Sequence, residues 1–155
     1  MKKIIYLIAI VLISSPAFSQ KVDFSGDWKI NKEKSELGYE FSMAPNQIIL
    51  KQAKNSLDIE RHSSYEGQDF TFNDHFTLDG EECENPGWMD SIKKSTASWT
   101  EDKKGLKITS TVPMQDGGEF TITEELVMNE DNLVISTSAS SSYGDMSEKF
   151  VFDKQ

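Results

Sequence analysis

Apolar and polar residues alternate along most of the chain in short runs separated by polar clusters, which is the signature of half-buried strands joined by turns. Trp28 and Ile30 share a face, as do Leu57 and Ile59 with charged residues between them. Phe70, Phe72, Phe76 and Leu78 form one face of a longer run, with Thr71, Asn73, His75 and Thr77 on the other. Further segments carry Trp99, then Leu106, Ile108 and Val112, then Phe120, Ile122, Leu126 and Met128, then Leu133, Ile135 and Ala139, and last Phe150 and Phe152. Ile48, Ile49 and Leu50 are continuous, so their facing is ambiguous.

The connections predict hairpins. Glu66-Gly67, Lys103-Lys104-Gly105, Asp116-Gly117-Gly118 and Glu130-Asp131-Asn132 each separate two apolar runs closely. Residues 32–45 include Gly38 and Pro45 and read as a long loop with at most one helical turn. About nine antiparallel strands in meander order leave exposed edges unless the sheet closes, so the chain is expected to be all-β, a single up-and-down barrel, with a two-sheet sandwich as the alternative.

Residues 1–19 have the order of a secretory signal: Lys2 and Lys3, an apolar run from Ile4 to Ile13, and the small residues Ala17 and Ser19 before an expected cut. The apolar run is shorter than the roughly 20 residues a spanning helix needs, and no cysteine stands near the cut for lipidation. The expected product is a domain of residues 20–155, in the periplasm or outside the cell and without stable membrane insertion. The chain has a net charge of −10, and removing Lys2 and Lys3 makes it more negative, which argues against a nucleic-acid partner. Cys83 is the sole cysteine, so no internal disulfide can form, and its neighbours Glu81, Glu82 and Glu84 argue against a reactive nucleophile.

The opening Phe24-Ser25-Gly26-Asp27-Trp28-Lys29-Ile30-Asn31, the following Lys34-Ser35, and the closing Phe150-Val151-Phe152-Asp153-Lys154-Gln155 resemble the ends of uncharacterised bacterial secreted lipocalin-like proteins. The resemblance covers the two ends firmly and the middle loosely. It implies a calycin-type β-barrel and a small apolar ligand. Lipocalins proper place an arginine from a late strand over the tryptophan of the Gly-x-Trp motif. Here Arg61 is the only arginine and lies in an early segment, and Lys149 is the nearest substitute.

Trp28 is expected to plug one end of the barrel, its indole nitrogen finding a backbone acceptor, with Gly26 permitting close approach of the chain. If Glu66-Gly67 forms a two-residue turn, Tyr65 faces Gln68, Arg61 faces Phe72, His62 faces Thr71, and Asp74 lies diagonal to Arg61 on one inward face. Glu124, between Ile122 and Leu126, points inward by the same alternation. Buried ions must pair, because an unpartnered one costs several kcal/mol. Arg61 is therefore either a structural strut, with Asp74 its first partner and Glu124 its second, or a fork for a ligand carboxylate or hydroxyl. The candidate ligand-binding set is Arg61, Phe70, Phe72, Asp74, Phe76, Trp99, Phe120 and Glu124.

No catalytic arrangement is expected: no nucleophile elbow, zinc-binding helix or phosphate loop is present, and Glu124 and Glu125 point to opposite faces. His62 and His75 fall on the outward face, too far apart for easy shared ligation, so neither a metal nor another cofactor is expected. The stretch from Glu81 to Asp90, with Pro86, Gly87, Trp88 and Met89, reads as a loop that is a lid, a partner contact, or packed back on the barrel. The function expected is binding of a small, partly apolar molecule in the interior. The alternative is an interaction module with no internal ligand, and a cavity of at least ~300 Å³ would favour the binder.

Overall fold

The structure is a computed structural model that describes residues 21–38, 42–115 and 117–155. The signal-like segment 1–19 and its expected cut lie outside these residues.

Ten antiparallel strands follow one another as β1 Gly26–Ile30, β2 Gln47–Gln52, β3 Ser56–Tyr65, β4 Gln68–Thr77, β5 Glu82–Pro86, β6 Ile92–Trp99, β7 Gly105–Pro113, β8 Glu119–Asn129, β9 Asn132–Ser141 and β10 Gly144–Lys154. They form one sheet in the order β4-β3-β2-β1-β10-β9-β8-β7-β6-β5, so every sequence neighbour except β4–β5 is also a ladder neighbour and the first strand pairs with the last. This is the meander barrel the pattern predicts, not a sandwich. The expected count of nine is one short. The added strand is β5, inside the stretch read as a loop, and it escapes detection because its buried residue is the polar Asn85 and no apolar alternation marks it.

β4 and β5 are the two free ends of the sheet, and side chains close the seam between them. Asn85 behaves as a substitute backbone unit: its Oδ1 accepts from the His75 amide at 2.7 Å and its Nδ2 donates to the His75 carbonyl at 3.0 Å. The edge groups are thus satisfied locally without a ladder.

The β3–β4 hairpin has the expected two-residue turn. Glu66 and Gly67 both take positive φ, 49° and 79°, as a turn that follows the strand twist requires. Tyr65 faces Gln68, His62 faces Thr71 and Arg61 faces Phe72, as the turn predicts.

One end of the barrel is packed solid. Phe24, Trp28, Leu57, Ile59, Phe76, Leu106, Ile108, Leu126, Leu133 and Phe152 are all buried there. In β2 the ambiguity resolves with Ile48 and Leu50 inward and Ile49 only partly covered. Trp28 is 1% exposed, and its Nε1 donates to the Phe24 carbonyl at 3.0 Å. A Cβ at Gly26 would stand 3.1 Å from that nitrogen, which accounts for the glycine. The cation over the tryptophan ring is Lys154, 5.5 Å from its centroid. The expectation for Lys149 is corrected: it pairs with Glu36 at 3.6 Å, because its position in β10 points it outward beside the 31–38 segment.

The terminal motif residues converge at this end. Asn31 donates to Asp153 at 2.7 Å, Lys34 pairs with Asp153 at 3.3 Å, and Ser35 both donates to the Asn31 carbonyl and accepts from the Val151 amide. Residues far apart in sequence therefore clasp the first and last strands together.

Candidate functional site

Above the packed floor the barrel holds a cavity of about 360 Å³. Strand alternation sorts its walls by height. Nearest the floor is a charged tier, formed where the inward positions Arg61 of β3, Asp74 of β4, Lys93 of β6 and Glu124 of β8 meet. Arg61 donates through Nη1 to Asp74 Oδ2 in a short contact and through Nη2 to Glu124 Oε2 at 2.8 Å. Lys93 Nζ lies 2.6 Å from Asp74 Oδ1, an ion pair rather than a well-formed hydrogen bond, and it ties β6 to β4 across the seam. The side chain of Asp74 is 2% exposed and those of the other three about 15–16%.

Two cations face two anions, so the tier is electrically balanced, the condition under which ions are tolerated away from water. Burial works against the charge of Arg61, yet the facing Glu124 and Asp74 carboxylates outweigh it and hold the guanidinium above its ordinary pKa. Both partners predicted for Arg61 are therefore real and simultaneous. Arg61 is thus a strut whose side chain also lines the cavity wall.

Two further polar groups lie at this depth. Ser110 is buried and shares a 2.9 Å hydrogen bond with Ser95. Thr137 of β9 faces Glu124 in the β8–β9 register, is 4% exposed, and has an Oγ1 without a hydrogen-bond partner.

The mouth is aromatic. Phe70, Phe72, Phe120 and Trp88 surround it, and Trp88 rests against Phe120 with ring centroids 5.2 Å apart. Trp88 sits on a single 3₁₀ turn, Trp88–Asp90, where it lines the cavity mouth while remaining 49% exposed. Residues 42–45 cover the other side. Glu148, buried on β10, anchors this segment: its Oε1 accepts from the Gly38 amide at 2.7 Å and its Oε2 from the Met43 amide at 2.9 Å.

Of the predicted ligand-binding residues, Arg61, Phe70, Phe72, Asp74, Phe120 and Glu124 line the cavity. Phe76 and Trp99 do not. Phe76 is 1% exposed in the floor core, two positions below Asp74, and Trp99 stacks against Phe24 at the plugged end with Lys21 over its ring. Phe70 and Phe72 are 40% and 41% exposed, so they form a rim rather than a packed inner wall. Gly26 and Trp28 form the plug.

Lys93, Thr137 and Glu148 are absent from the predicted set. Parity could have found each, since Lys93 shares a face with Ser95 and Ala97, Thr137 with Ile135, and Glu148 with Phe150. The histidines lie outside: His62 Nε2 contacts Glu60 at 2.8 Å and His75 Nδ1 contacts Asp58 at 2.6 Å. Cys83 is a free, half-buried thiol. Among the described residues no group of three or more His, Cys, Asp or Glu is placed to hold a metal, and no helix is long and apolar enough to cross a membrane.

The sequence matches no protein-family model and no curated protein. Solved structures do match. A secretary abundant heat soluble (SAHS) protein from Ramazzottius varieornatus superimposes with a TM-score of 0.62 at 17% identity, covering 85% of this chain and 95% of that one. Lipid binding protein 8 of Caenorhabditis elegans gives 0.57 at 12% identity over 85% and 95% of the two chains. Zebrafish ileal bile acid-binding protein, complexed with cholic acid, gives 0.57 at 15% identity over 85% and 98%. At these identities the likeness establishes the fold, a calycin-type barrel.

Proposed function

We propose that this chain is an exported barrel that binds a small, partly apolar molecule between its charged tier and its aromatic mouth. The observation that carries the reading is the cavity of about 360 Å³, in the size range of small-molecule sites and walled by apolar side chains around a few convergent polar groups. A barrel filled by its own side chains would instead favour an interaction module, but here only the lower half is filled. The reading agrees with the names of two structural neighbours, a lipid binding protein and a bile acid-binding protein. Binding without catalysis fits a tier whose ions are committed to one another. Export rests on the pattern of residues 1–19.

Titration with Nile red, a neutral apolar dye, tests the reading. Saturable, blue-shifted emission is expected at one site per chain. Ile122→Trp, which projects a larger ring into the cavity, should weaken it by at least about tenfold. A signal that never saturates, or one indifferent to Ile122→Trp, would overturn it.

A further inference from the structure

We propose that the cavity selects apolar ligands whose head group donates a hydrogen bond and carries no negative charge, a hydroxyl above all, over carboxylates with the same tail. This rests on the cavity-binding reading and adds to it the polarity of the ligand.

The charged groups of the tier are already paired with one another. Arg61 spends one Nη on Asp74 and the other on Glu124, and Lys93 is paired with Asp74. Both cations keep N–H donors, but their charge is already matched by the carboxylates they touch. The tier is balanced at two positive and two negative charges, and Glu148, which faces Thr137 in the β9–β10 register with both oxygens accepting backbone amides, is a further buried carboxylate nearby. A ligand carboxylate would enter as an uncompensated anion in surroundings largely closed to water, or would have to break a buried pair to find a partner.

What remains open is a different pair of atoms. Glu124 gives Oε2 to Arg61, and among the described residues no hydrogen bond reaches its Oε1. Thr137 stands directly opposite Glu124 on the neighbouring strand, where cross-strand side chains are in contact range. Thr137 lines the cavity, and its Oγ1 is buried without a hydrogen-bond partner, a rotation about χ1 away from the cavity space. A native protein seldom leaves such a group unpaired without a reason. The two atoms together offer one acceptor that can only accept and one hydroxyl that can do either. A ligand hydroxyl satisfies both, donating to Glu124 and accepting from Thr137. A carboxylate has nothing to donate, so it would leave Glu124 facing oxygen against oxygen.

Displacement of bound Nile red at neutral pH by decanol, methyl decanoate and decanoate provides the test, because the three share a tail and differ in charge and donor. Decanol is expected to displace the dye at a concentration at least about tenfold below decanoate, with methyl decanoate, uncharged but without a donor, between them. Thr137→Val, which removes the group donating to the ligand oxygen, should weaken decanol by at least about threefold. Glu124→Gln, which keeps an acceptor for Arg61 and removes the negative charge, should strengthen decanoate. If decanoate matches or surpasses decanol in the unaltered protein, the selectivity is refuted while cavity binding stands. If Thr137→Val leaves displacement by decanol unchanged, the assignment of the hydroxyl to Thr137 is refuted. If the dye does not bind at all, the cavity-binding reading fails and this inference with it.

Discussion

Thr137 and Arg61 have opposite consequences although both are polar groups in the same wall. Valine at Thr137 removes a buried hydroxyl with no partner, so Thr137→Val is expected to stabilise the empty protein by ~1 kcal/mol in urea unfolding. A loss of similar size would mean that the hydroxyl is satisfied in solution. Arg61→Met strands Asp74 and Glu124 together and is expected to cost ~3–5 kcal/mol. For an isolated pair, replacing both partners with apolar residues would recover much of that. Here Arg61→Met with Asp74→Leu leaves Glu124 without its cation and Lys93 without its anion, so little recovery is expected. A double variant near parental stability would show that the ions act as independent pairs rather than as one network.

At the scale of the elements, β4 passes from core to rim within six residues. Phe76→Ala empties a fully buried position and should cost ~3–5 kcal/mol, whereas Phe72→Ala, at a position 41% exposed, should cost only ~1 kcal/mol. Equal costs in thermal or urea unfolding would contradict the division into floor and mouth. The clasp joining β1, β9 and β10 is predicted to respond to acid. Hydrogen bonding from Asn31, aided by Lys34 and Asn132, holds the Asp153 carboxyl below the usual carboxylate range. A depressed folded-state value means that its stabilisation is fully present above about pH 4 and is lost as pH falls through the folded value. Asp153→Asn should therefore be less stable than the parent at neutral pH, and the two stabilities should converge in acid. A constant difference across the range would remove Asp153 from the clasp.

These elements also show how far the sequence could be read. The β3–β4 register followed from Glu66-Gly67 because a two-residue turn leaves no freedom in pairing, and with it came the meeting of Arg61, Asp74 and Phe72. β5 was hidden because the side chain it buries is Asn85, whose role as a seam closure exists only once β4 lies beside it. Lys93 was hidden behind Lys94, since two adjacent lysines suggest solvent although alternation sends one of them inward. For Phe76 and Trp99 the pattern gives the facing but not the height, because period-two alternation says nothing of depth along the barrel axis.

For the whole molecule, the three tiers divide the work. The packed end supplies the buried apolar area that holds the barrel closed, the ion network spans it at mid-height, and the rim of Phe72, Trp88 and Phe120 leaves an entrance. The fold is common to proteins only 12–17% identical to this one, so it places few demands on most individual side chains. Whether the upper half of the barrel holds a ligand is decided by native mass spectrometry of the protein purified from its own host. A fraction carrying a small non-peptide mass that is released on unfolding and is diminished in Ile122→Trp is expected. A spectrum showing only the bare polypeptide, unchanged after incubation with Nile red or decanol, would contradict it.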